Sequence, residues 1–299
     1  MLELVNDFFT AVNRFEFLQR AIIVGVIVSL CASLLGVSLV LKRYAMIGTS
    51  LSHVGFAAMM IAGAIAGVFD IGDIQLFGNV ALPWDLTVSL PIVVIVAFFI
   101  LRLNESNKIK GDSAVALVSA ASFAIGVIIT SQTVGLSIHV CNAMFGSILT
   151  TTNTDLYISV ILGFIVLGAF VFFYKQIFAI TYDEIFAKAT GTKVEWYKSM
   201  LAILTAITVV IGMRLMGALL ISSLIILPPL TAMRLFKSFF QVVVVSALVG
   251  VVSYVVGFFF AFVMDWPPGP SVVAVNLAIF IVFFILEIII RNFFVTERT

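Results

Sequence analysis

Long apolar runs recur along the whole chain with only short connections between them. They begin at Ala21–Leu41, Ala45–Phe69, Leu86–Leu101, Ala114–Thr133 and Leu156–Tyr174, and continue at Met200–Met213, Leu215–Met233, Phe239–Met264 and Ser271–Ile289. A hydrocarbon core about 30 Å thick takes roughly 20 apolar helical residues. A chain of 299 residues therefore has room for about nine such spans and for little else. The pair on either side of Arg214 is short enough to include a re-entrant helix, which would leave eight full crossings. With 63% hydrophobic and 10% charged residues, the composition excludes a soluble globule, in which apolar residues make up about 45–50%. The expected class is an all-α polytopic membrane protein forming one domain over residues 1–299. Strand alternation, low-complexity tracts and linkers do not stand out.

The first twenty residues mix acids and bases through apolar positions and lack the basic start and cleavage site of a signal peptide. They read as an interfacial helix leading into the first span. Basic residues gather in cytoplasmic loops. All of them except Arg14, Arg20 and Arg214 fall in the connections after spans one, three, five and seven or in the C-terminal tail, while Asp70, Asp73, Asp85, Asp155 and Asp265 lie on the other side. The N-terminus is thus expected outside and the C-terminus in the cytoplasm. A net charge of +1 gives no reason to expect nucleic acid as a partner.

Carboxylates within a bilayer mark ion pathways and proton relays, and the span interiors hold none, Glu287 lying near an interface. This counts against a self-sufficient ion-driven carrier. Gly191-Thr192-Lys193 lacks the upstream glycine of a phosphate-cradling loop, so any nucleotide belongs to another chain. No catalytic constellation is present, and a single histidine within the spans cannot build a zinc protease.

That histidine is His53, about two turns into the second run, with Thr49 four residues before it on the same helix face. A neutral imidazole suits zinc and similar cations, and Thr49, Ser50 and Ser52 offer oxygens. The spacing fits equally a histidine hydrogen-bonded between packed helices. His139 and Cys141, two apart in a loop, read more simply as a solvated histidine beside a buried cysteine than as a cation site. Lys175–Lys198 is the longest connection on the cytoplasmic side. Thr181 is a plausible cap there, Asp183 and Glu184 suit a helix first turn, and Gly191 suits its end. Exposed Ile185, Phe186 and Ala189 fit either a soluble partner or the lipid headgroups. Pro228 and Pro229 should kink the seventh span, with Ser222 and Ser223 placed to satisfy freed backbone groups.

LVLKRYAMIGTSLSHVGFA (39–57) resembles the Gly-Asp-x-Leu-Ser-His signature of the permease subunits of bacterial ABC importers for zinc and manganese, the ABC-3 family. The likeness continues in order through LRLNESNKIKGDSAVAL, MFGSIL, FAITYDEIFAKATGTK, MRLMGALLISSLIILPPLTAMRLFKSF and PPGPSVVAVNLA, and the first, third and fourth of these resemble the zinc-type branch most. The resemblance implies a fold similar to the vitamin B12 type of importer and a homodimer in the bacterial inner membrane. It implies two copies of a separate ATPase, and an extracellular lipoprotein or periplasmic protein that delivers the metal. It implies no resident cofactor, the divalent metal being cargo. It places His53 on the translocation path and makes the segment near residues 181–191, with Asp183, Glu184, Phe186, Ala187 and Gly191, the coupling helix that docks on the ATPase. One departure stands out: the family has Asp four residues before the histidine where this chain has Thr49. Zinc is the expected cargo. Manganese or iron in the same machinery, or an ion-coupled secondary transporter, are the alternatives.

Overall fold

The computed structural model describes residues 10, 12, 14–42, 44–69, 74–77, 80–105, 111–132, 144–146 and 151–296. Eleven helices and one hairpin follow in the order α1 (Glu16–Leu41), α2 (Ala45–Phe69), β1 (Ile74–Phe77), β2 (Val80–Leu82), α3 (Trp84–Glu105), α4 (Gly111–Gln132), α5 (Asn153–Phe172), α6 (Tyr174–Tyr182), α7 (Glu184–Ala189), α8 (Val194–Met216), α9 (Ala218–Leu235), α10 (Phe239–Met264) and α11 (Pro268–Thr296). Among the described residues, nine of these helices are long and apolar enough to cross a membrane. The all-helical class holds, with one exception: β1 and β2 pair antiparallel, Ile74 opposite Leu82. Strands of 4 and 3 residues are too short to show the period-two alternation that marks a strand in sequence.

Of the two helices read around Arg214, α8 is longer than its apolar run suggests, while α9, with 18 residues, is not. α8 has 23 residues and starts at Val194, because the polar first turns around Glu195 and Lys198 mask its beginning. The break falls at Gly217, whose φ of 88° is open to glycine at little cost. Both helices qualify as spans, so no re-entrant reading is needed here.

α1 and α8 are the most enclosed spans, each with 67% of its central window buried. α1 packs against α5, α8, α9 and α10. Small residues let the backbones approach, as expected where lipid offers no hydrophobic drive between helices. Gly25 leaves room for the ring of Tyr254 from α10, whose hydroxyl donates to the Ala21 carbonyl at 2.9 Å. Gly36 faces the Ile225 carbonyl of α9 so closely that a Cβ there would lie 2.0 Å from the oxygen. That carbonyl has no helical donor, since Pro229 stands four residues on and lacks an N–H. The serines do something other than expected: Ser222 donates to the Leu219 carbonyl and Ser223 to that of Leu220, neither of them freed by Pro228 or Pro229. Freed carbonyl and glycine meet through tertiary packing.

The ends of the bundle differ in charge. One carries Lys42, Glu184, Lys188 and Lys198. The other carries Arg214, which pairs with Asp85 at 3.2 Å and with Asp155 at 3.5 Å. Asp155 is nearly enclosed and also completes a capping box with Thr152 at the start of α5. Arg214 thus ties α8 to α3 and α5 rather than marking a break.

Candidate functional site

α2 carries the site because its sequence is apolar with small polar interruptions. It packs along α4, where Gly126 leaves room for the Phe56 ring, and against α9, where Gly48 meets Ile225. The rise of about 1.5 Å per residue puts His53 about 12 Å from Ala45 and about 14 Å from Ala62. The Ala62 carbonyl accepts the Trp84 indole N–H at 3.2 Å at the acidic end. The imidazole is therefore near the middle of the packed length of its helix.

His53 and Thr49 share a cavity of about 240 Å³ with Phe56, Phe123, Met144, Ala218, Leu219 and Ser222. Three residues singled out in the sequence thus come together: His53 and Thr49 from α2, and Ser222 from α9. Ser223, Pro228 and Pro229 do not line it, and both prolines are buried elsewhere in α9. The cavity forms where α9 restarts after Gly217. Met144, Phe145 and Gly146 press into that break, with Gly146, Gly217 and Gly269 each so close to backbone that a Cβ would meet it at 2.4 Å. The MFGSIL motif thereby brings Met144 to the cavity wall; its Ser147–Leu149 portion lies outside the described residues.

His53 Nδ1 shares a 2.6 Å hydrogen bond with Ser119 Oγ of α4, and Phe123 lies 5.2 Å from its ring. A ring that donates its Nδ1 proton to Ser119 keeps the Nε2 lone pair for a cation. Ser119, Phe123 and Met144 were not legible as site residues. Ser119 sits 66 residues from His53 in a helix with three other serines, so nothing singles it out, whereas Met144 lies in a motif that marked the family without a role. The lining residues that carry donor atoms are His53, Thr49, Ser222 and Met144. Among the described residues no group of three His, Cys, Asp or Glu side chains could hold a metal ion, and no carboxylate lines the cavity. The arrangement can offer a cation a way-station, not a closed cage. His139 and Cys141 lie outside the described residues, and Cys31 is a buried free thiol within α1.

At the basic end, α7 is a two-faced helix. Its cap is Asp183, whose carboxylate accepts the Phe186 N–H at 2.9 Å. Thr181 instead ends the preceding helix by donating to the Ile177 carbonyl, because a hydroxyl one turn inside a helix is captured by that helix's own carbonyl. Gly191, with φ 82°, closes α7: its N–H reaches Lys188 and that of Thr192 reaches Ala187, the paired bonds of a Schellman turn. Ala187 is buried with Ile180 and Val194, whereas Ile185 and Phe186 are 83% and 62% exposed. Burial pushes the Glu184 carboxyl up, but the hydrogen bond and charge of Lys198, with Lys42 and Lys188, more than reverse this and hold it below its ordinary value.

Comparison with known proteins fits this geometry. The family model described as the ABC 3 transport family matches residues 14–287. The manganese transport system membrane protein MntC of Halalkalibacterium halodurans is 26% identical over 91% of this chain and 88% of its own length. The manganese import system permease protein ScaB of Streptococcus gordonii is 27% identical over 95% and 96%. The high-affinity zinc uptake system membrane protein ZnuB of Haemophilus influenzae is 27% identical over 89% and 96%. Among solved structures, PsaBC from Streptococcus pneumoniae in complex with Fab superposes with a TM-score of 0.78 at 25% identity, over 94% of this chain and 95% of that one. An inward-facing metal-chelate type ABC transporter shares the fold, with a TM-score of 0.69 at 15% identity over 89% and 85%. The relatives are named for different metals, so kinship leaves the cargo to the cavity's own chemistry. With its model matched across nearly the whole sequence, this chain belongs to the ABC 3 transport family.

Proposed function

We propose that this chain is the permease subunit of an ATP-driven importer whose cargo is zinc. It works as one transmembrane domain, as a homodimer in the bacterial cell membrane. The acidic end faces outward to a metal-delivery protein, and the basic end faces the cytoplasm, where an ATPase docks on α7. The observation that carries this reading is the cavity that gathers His53, Thr49 and Ser222 midway along α2 in a chain of this family. The bias of basic residues supports the orientation. Zinc is favoured because imidazole without carboxylate suits a borderline cation, whereas manganese prefers carboxylate and water oxygens. A sparse donor set is what a conduit needs, since cargo bound too well does not leave. Manganese is the second reading, favoured by the names of two of the relatives.

Uptake of radiolabelled zinc and manganese, with and without the ATPase and the delivery protein, tests the whole reading. ATPase-dependent zinc uptake supports it, a manganese preference moves the cargo, and uptake without the ATPase overturns the mechanism. At Thr49, Asp is expected to raise manganese uptake relative to zinc, because it sets a carboxylate beside His53 on one helix face. Unchanged uptake of both metals would remove position 49 from the path. For α7, Phe186→Ala should abolish copurification of the ATPase while leaving membrane insertion intact, since the ring is exposed and holds nothing inside the permease.

A further inference from the structure

The side chains of α7 divide between two directions. Ile185 and Phe186 point away from the permease, while the Glu184 carboxylate is turned into it and meets Lys198 at 2.6 Å, Lys188 at 3.4 Å and Lys42 at 3.7 Å. Lys42 closes α1 and Lys198 lies in the second turn of α8. Their side chains are 13% and 11% exposed, against 31% for Glu184, so water screens these contacts in part and from the Glu184 side. Lys188 differs: it sits on α7 itself, is 53% exposed and is shared with Glu195.

Of the two spans held by Glu184, α8 runs up to the His53 cavity, and α1 packs on α9, which supplies part of the cavity wall. Gly36 of α1 abuts the Ile225 carbonyl of α9, and Gly212 of α8 abuts Val28 and Ile221. α8 then ends at Gly217, and the next residues, Ala218, Leu219 and Ser222, are cavity wall. At that far end α8 is pinned again, by Arg214 to Asp85 and Asp155. A packed helix of 23 residues moves as a rod rather than bending, so a push at one end is felt at the other.

We propose that Glu184 is a positioning residue that locks the docking helix onto α1 and α8 through Lys42 and Lys198, so that displacement of α7 by a nucleotide-driven partner reaches the wall of the His53 cavity. This rests on reading α7 as the ATPase-docking helix. It assigns Glu184 a role inside the permease, distinct from the outward contact made by Phe186.

The test is the permease–ATPase complex reconstituted in proteoliposomes, with ATP hydrolysis and zinc uptake measured in the same sample. Glu184→Gln and Lys198→Met should each lower zinc taken up per ATP about ten-fold, within the usual span of coupling energies. ATPase copurification should be unchanged. The double variant should be no worse than either single one, the mark of two groups acting as a pair. Lys188→Met should stay near wild type. An unchanged ratio in Glu184→Gln, an equal loss in Lys188→Met, or loss of the ATPase from Glu184→Gln would each overturn the assignment. If Glu184→Gln does not reach the membrane, Glu184→Asp serves instead: its shortened arm should lower the ratio, and an unchanged ratio overturns the proposal. Copurification of the ATPase with Phe186→Ala would overturn the docking reading itself, whatever Glu184 does.

Discussion

Replacing Gly36 with valine is expected to leave no folded permease in detergent extracts, the largest effect foreseen for any single change in this chain. The Cβ alone would sit 2.0 Å from the Ile225 carbonyl oxygen and 2.9 Å from its carbon, and the obstacle is backbone, which cannot swing aside as a side chain can. Overpacking a core costs about 1–3 kcal/mol and sometimes more, against a total stability of roughly 5–15 kcal/mol. Here α1 and α9 would have to part along a contact that also shields a carbonyl deprived of its donor by Pro229. Gly36→Ala should fold poorly, and Gly36→Val should run as aggregate on size exclusion. Gly168→Ala, where nothing lies within 4 Å, is the matched control and should behave as wild type. A monodisperse Gly36→Val with an unchanged melting temperature would show that α1 and α9 are not packed this closely.

His53→Ala carries the largest expected effect on transport. Losing even an outer partner that supports a metal ligand costs about 10–100-fold in metal affinity or activity, and the cavity holds no second imidazole to take the place of His53. ATP-driven zinc uptake should fall by about that factor, with expression and ATPase copurification preserved, because α7 lies at the far end of the bundle. The variant also frees the Ser119 hydroxyl, so His53→Asn, which retains a polar partner for it, separates loss of the ligand from loss of that hydrogen bond. Uptake retained in both variants would take the cavity out of the translocation path.

The two halves of the site were unequally visible in sequence. Thr49 and His53 could be paired because four residues is one helical turn, and α7, proposed as the docking helix, could be placed because Gly191 and the acidic first turn are local signals. Its cap was misassigned by two residues, to Thr181 instead of Asp183, since both types cap helices and the choice rests on which helix ends where. Ser222 was noticed as a neighbour of the prolines, yet it matters as cavity lining beside His53. Ser119, Phe123 and Met144 have no sequence relation to His53. They reach it because α4 packs on α2 and because the Met144–Gly146 turn fills the break at Gly217.

The class of the protein, its membrane residence, its family and the helix faces bearing Thr49, His53 and Phe186 follow from the sequence by itself. All of these depend on hydrophobic length, charge bias and spacing within a single helix, which are local or additive properties of the chain. Tertiary structure alone decided which groups Arg214 and Glu184 pair with, that Gly36 answers the carbonyl left open by Pro229, and that one cavity joins α2 to α4, α9 and the turn at Met144. Such contacts are fixed by how rods of similar apolarity settle against one another. In lipid that choice is made by close backbone approach and by pairing of the few polar groups, neither of which leaves a period in the sequence.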